Sequence, residues 1–140
     1  LDPENAEIHA YFGEALNFSG KYELANEHAA TALRLDPLSP PSWQFIYGRS
    51  FYHLGQYDKA ASLIGGAVER LPALTVARLY LACAYLELDR HADAKEQIRQ
   101  VIANEPRYTV EVADRVYPFR LDKDRIRFLD SLRAAGLPER

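Results

Sequence analysis

Apolar residues recur along this chain at i, i+3 and i+4, the spacing that gives an α-helix one buried face. The pattern predicts helices over roughly 4–18, 22–35, 41–54, 57–70, 74–88, 91–104, 108–117 and 123–135. No stretch shows the alternation expected of a half-buried strand. An all-α fold is therefore expected. Proline punctuates the pattern at Pro37, Pro72 and Pro106. Each lacks an N–H and disfavours helix in the residue before it, so each helps to stop a helix.

The stops are periodic. Pro37 to Pro72 is 35 residues and Pro72 to Pro106 is 34. Three segments align on this period. Gly20-Lys21-Tyr22-Glu23-Leu24-Ala25 leads to Ala32 and Pro37. Gly55-Gln56-Tyr57-Asp58-Lys59-Ala60 leads to Ala67 and Pro72. Asp89-Arg90-His91-Ala92-Asp93-Ala94 leads to Val101 and Pro106. Upstream, Phe12-Gly13, Tyr47-Gly48 and Leu81-Ala82 stand at equivalent places, followed three residues after each small residue by Leu16, Phe51 and Tyr85. Small residues at Gly13, Gly48 and Ala82, and at Ala25, Ala60 and Ala94, allow the backbones of two antiparallel helices to approach closely. Gly65-Gly66 interrupts the fourth helix at a cost of ~1 kcal/mol per glycine relative to alanine, and close helix contact is the expected reason.

These residues at this period resemble the tetratricopeptide repeat. The likeness covers about residues 4–106. It implies a right-handed superhelical solenoid of three helix hairpins, followed by C-terminal capping helices. The implied divisions are a remnant of a preceding repeat at 1–3, repeats at 4–39, 40–73 and 74–107, and a cap with tail helices at 108–140. Two departures stand out. The large residue often found early in the first helix of a unit is His9, Gln44 or Arg78 here, and the second Ala of the third unit is Val101.

The resemblance also implies a concave groove lined by the first helix of each unit. In its frame the groove positions are Glu7, Ala10, Glu14 and Asn17, then Ser42, Phe45, Arg49 and Tyr52, then Val76, Leu79, Cys83 and Leu86. Glu14, Phe45, Arg49, Tyr52, Val76, Leu79 and Leu86 are the candidate peptide-contacting residues. Some members of the family hold a peptide's terminal carboxylate with Lys, Asn and Arg. The matching places here read Ala10, Glu14, Ile46, Val76 and Tyr80, so that clamp is absent and chaperone C-terminal tails are not expected to bind. An acidic lip and apolar floor suit an amphipathic helix or an extended apolar segment with basic flanks. Two occupants stand open: a separate partner or another domain of the same protein, and the chain's own tail helix with Ile126, Leu129 and Leu132.

The C-terminal segment carries capping signals. Residues 108–117 place Val110, Ala113, Val116 and Tyr117 on one side, and Pro118 ends that helix. Asp122 is an expected N-cap, and Gly136 is placed as a C-terminal cap with Pro138 just after. The tail from Phe119-Arg120 to Glu139 resembles the endings of bacterial proteins that join a class III nucleotide cyclase or transcriptional-regulator domain to such repeats. Leu1-Asp2-Pro3 repeats Leu35-Asp36-Pro37, which suggests a preceding repeat in a longer parent. A face left open there could also pair with a second copy, giving a homodimer.

Composition narrows the chemistry. The formal charge of −3 is too small to favour nucleic acid or an anionic membrane. Cys83 is the sole cysteine, so no internal disulfide forms and a cytoplasmic setting is expected. His9, His28, His53 and His91 do not fall at helical ligand spacing, and the glycines form no phosphate-cradling loop. No metal, cofactor or catalytic residue is expected. The sequence reads as a non-catalytic protein-interaction module.

Overall fold

The computed structural model describes residues 5–140, so the expectations for Leu1-Asp2-Pro3 and for a helix start at Glu4 lie outside the described residues. Eight α-helices occur among the described residues: α1 (Ala6–Phe18), α2 (Tyr22–Leu35), α3 (Pro41–His53), α4 (Tyr57–Arg70), α5 (Thr75–Glu87), α6 (His91–Asn104), α7 (Val110–Val116) and α8 (Asp122–Ala134). Consecutive pairs pack as hairpins α1–α2, α3–α4 and α5–α6, and each hairpin stacks on the next. The fold is an all-α solenoid of helix pairs with two further helices.

Four helices end in the same way. At Gly20, Gly55, Asp89 and Gly136 the backbone turns left-handed, with φ of 76°, 80°, 58° and 103°. At each, the residue after the turn donates its N–H to a carbonyl five residues back: Lys21 to Leu16, Gln56 to Phe51, Arg90 to Tyr85 and Leu137 to Leu132. These bonds satisfy carbonyls that the helix end would otherwise leave open. Asp89 is the non-glycine among them.

Hairpin packing depends on the small residues. A methyl group added at Gly48 would lie 2.6 Å from Ile64 Cγ1 and 3.2 Å from Leu63 Cβ; at Gly13 the nearest atom would be the Ala25 carbonyl at 3.3 Å. Ala25, Ala60, Ala82 and Ala94 are wholly buried. Gly65 departs from expectation. A methyl there would meet nothing within 4 Å, and at Gly66 it would meet only the Gln44 side chain. No helix backbone closes on that pair.

The three residues of the first departure, His9, Gln44 and Arg78, share one explanation. His9 Nδ1 lies 2.9 Å from His28 Nδ1. Gln44 Nε2 donates to the Leu63 carbonyl at 2.9 Å, and Arg78 Nη1 donates to Gln97 Oε1 at 2.9 Å. Each bond spans 19 residues and joins the two helices of one unit. At the place where the pattern often has a large residue, each hairpin carries a polar staple.

Residues beyond the third hairpin reverse direction. Thr109 caps α7, its Oγ1 accepting from Val112 N at 3.2 Å. Val110 and Ala113 are buried, but Val116 is exposed rather than facing inward. Pro118 follows the end of α7, and the chain then returns as α8. Asp122 is the first residue of α8 rather than its cap. Leu121 occupies the cap position and makes no side-chain bond. The Asp122 carboxylate still suits the positive end of the helix dipole.

Candidate functional site

The first helices of the three hairpins, α1, α3 and α5, lie side by side, and α8 packs against α5. Its start sits at the first hairpin, where Tyr22 donates a hydrogen bond to Asp124. Midway, Arg127 pairs with Glu87 at 2.9 Å, bonds to the Tyr57 hydroxyl and lies 5.2 Å over the Tyr52 ring. At the centre Phe128 is 4.9 Å from the Tyr80 ring and 5.3 Å from Phe119. Phe128, Leu129 and Leu132 are buried, whereas Ile126 is 52% exposed. The tail helix is rotated from the expected face: Phe128 takes the inward place that Ile126 was given.

Of the expected contact residues, Tyr52 lies under Arg127 of this helix and Leu86 lies beside it. Phe45, Tyr52 and Leu79 are buried, with Tyr52 edge-on to Tyr80 at 5.5 Å and Phe45 edge-on to it at 5.8 Å. Val76 and Leu86 are half-buried and pack against the same core. Glu14 is half-buried and its Oε1 lies 3.5 Å from Arg49 Nη1. The Arg49 side chain is 3% exposed. It lies between aromatic rings, 4.4 Å from the Phe18 centroid and 5.1 Å from that of Tyr80. Stacking of a guanidinium on rings compensates part of the cost of removing it from water. In this conformation the apolar floor is covered by the chain itself.

Two groups near α8, half-buried His53 and buried Cys83, have altered acidity. His53 is stacked on Tyr22 at 4.2 Å, and its Nε2 lies 3.1 Å from the Tyr80 hydroxyl. Burial first, and then the positive charges of Arg49 and Arg127, pull its pKa down to about 3. It is held neutral. Cys83 is wholly buried, and burial pushes its thiol up to about 12, so it is no nucleophile here. Among the described residues no group of three or more His, Cys, Asp and Glu could hold a metal ion. No described helix is long and apolar enough to cross a membrane.

Several residues that build the site were not anticipated from the sequence: Tyr22, His53, Glu87, Phe119, Arg127 and Phe128. One signal was available. Phe128 is the lone aromatic in an otherwise charge-rich helix, DKDRIRFLDSLRA. An aromatic residue in so polar a segment needs a buried partner surface.

One flank of α8 stays open toward the turn between α5 and α6. Beside it an open depression of about 680 Å³ is lined by Leu86, Lys123, Ile126, Arg127, Asp130 and Ala134.

Two family models, both described as tetratricopeptide repeat, match residues 12–74 and 51–113. Among solved structures, the fold is similar to the first TPR of Spaghetti (RPAP3) bound to HSP90 peptide SRMEEVD. That match has a TM-score of 0.68 at 20% identity and covers 95% of this chain and 97% of that one. MamA matches with a TM-score of 0.71 at 18% identity, covering 96% of this chain and 78% of that one. YrrB, described as a TPR protein with an unusual peptide-binding site, matches with a TM-score of 0.69 at 20% identity, covering 96% and 69%. At these identities the likeness is one of fold. No curated protein matches the sequence.

Proposed function

This chain belongs to the tetratricopeptide-repeat family, and from that premise we propose that it binds a polypeptide segment on the concave face of α1, α3 and α5. Domains of this family generally act as protein- and peptide-binding modules, and the fold is a non-catalytic one. The observation that supports the concave face is its present occupant. That surface holds a polypeptide, α8, through an aromatic floor of Tyr52 and Tyr80 and polar anchors at Tyr22, Tyr57 and Glu87. A floor of fixed rings with hydrogen-bonding groups along its edge suits an amphipathic helix. The resemblance of the tail to the endings of bacterial cyclase and regulator proteins supports a role in which such a module regulates or localises an attached domain.

The test is a library of synthetic 18-residue peptides titrated against the whole chain. Micromolar binders that weaken on Glu87→Lys, at the groove edge, but not on Lys59→Glu, exposed on α4, are the expected result. No binder, or equal loss with both substitutions, would overturn the reading.

A further inference from the structure

The helix that occupies the groove carries the marks of a ligand. Of the thirteen residues of α8 only Phe128, Leu129 and Leu132 are buried. Its polar grip on the groove is Asp124, which accepts from Tyr22, and Arg127, which reaches Glu87 and Tyr57; Arg125 and the residues after Gly136 tether it to α7 instead. Its N-cap, Leu121, supplies no side-chain bond. A helix of this length is marginal by itself in water, so it persists through its contacts with the groove. Because it is tethered, a competitor faces an effective concentration on the millimolar scale. The open depression along Leu86 and Ile126 gives that competitor a first foothold before α8 has left.

We propose that α8 is a displaceable occupant and that the groove's partner is an amphipathic helix repeating its chemistry. That helix carries an acid, an arginine three residues later, an aromatic residue and a leucine directly after it, and a second leucine three residues beyond. Each position has a counterpart in the groove. The acid receives the Tyr22 hydroxyl. The arginine meets Glu87 and lies over Tyr52. The aromatic ring sits against Tyr80, and the two leucines take the buried places of Leu129 and Leu132. Cys83 is wholly buried, and Ser131 of α8 is hydrogen-bonded to its thiol. This proposal rests on the concave face being the binding surface.

Cys83 makes the opening measurable in the whole chain, since it is the sole thiol and reacts only when uncovered. The probe is a fluorescent peptide of residues 120–137. Phe128→Ala is expected to raise the thiol-labelling rate at least about tenfold and to tighten peptide binding by a similar factor, with most of the helical circular dichroism retained. Asp124→Ala is expected to act in the same direction and less. A peptide with alanine at the place of Phe128 should bind neither. Faster labelling without peptide binding overturns the ligand chemistry, yet leaves the groove reading intact if library peptides still bind. Unchanged labelling in both variants, or loss of helical signal in both, overturns displaceability and makes α8 an integral part of the core.

Discussion

The first hairpin and the two that follow are built from the same repeat, yet their interiors differ. The core between α1, α2 and the start of α3 rests on Ala10, Ala29 and Ala32 with Trp43 and Ile46. The core of the second and third hairpins holds Tyr52, Ile64, Leu79, Tyr80, Leu81 and Ile98, and is sealed by Phe128 and Leu132 from α8. Tyr11, Phe12 and Leu24 of the first hairpin remain exposed, at 62%, 42% and 47%. A repeat unit does not carry its own stability. It takes most of it from neighbours, and the unit with fewest is the first to open. Amide exchange should show α1 and α2 less protected than α3 to α5.

The largest expected effect tests the seal. Phe128→Ala removes a fully buried ring and should cost ~3–5 kcal/mol in urea unfolding, whereas Tyr11→Ala, on the open face, should stay within about 0.5 kcal/mol. Acid probes the same region through His53. Its folded pKa lies below its unfolded value, so the unfolded chain binds the extra proton. Stability is therefore complete above about pH 6.5 and falls as the pH drops toward 3. The loss from this group at pH 5 is about 2 kcal/mol, and His53→Phe should flatten the melting-temperature profile between pH 7 and 5. Glycine substitution then compares the two hairpins directly. Gly48→Ala forces a methyl against Ile64 and should cost ~1–3 kcal/mol, with Gly13→Ala costing less because its contacts are ordinary or slightly tight. The smallest effects run the other way. Gly65→Ala has open space and should gain about 1 kcal/mol. Asp89→Gly relieves a left-handed residue and should gain less than about 1 kcal/mol. Both are read from urea midpoints.

Most of the architecture was legible because its cause is local. Proline stops, helical spacing and paired small residues act within one unit, and every helix stands within two residues of the span its pattern predicts. The groove was legible only by position. Phe45, Tyr52 and Leu79 follow from the repeat frame, but the Arg127 guanidinium over the Tyr52 ring comes from a segment more than forty residues away. The rotation of α8 shows the limit. Ile126, Phe128, Leu129 and Leu132 are all apolar, and spacing alone does not decide which three face inward. The ring of Tyr80 decides it, because it offers Phe128 a matching surface. The polar staples were hidden for a similar reason. His9, Gln44 and Arg78 look like lapses in a pattern until their partners at 28, 63 and 97 are seen across the hairpin.

After the left-handed turn at Gly136, the carbonyls of Pro138 and Glu139 accept the amides of Val110 and Glu111, at 2.9 and 3.2 Å. Leu137 is buried between, and Arg133 holds Glu139 by a two-pronged ion pair. The final residues thus buckle the end of α8 onto the beginning of α7. Trimming the chain after Gly136 would leave two amides of α7 without acceptors, so a shortened protein would fray at both helices together, and proteolytic clipping at that spot would announce itself far from the cut.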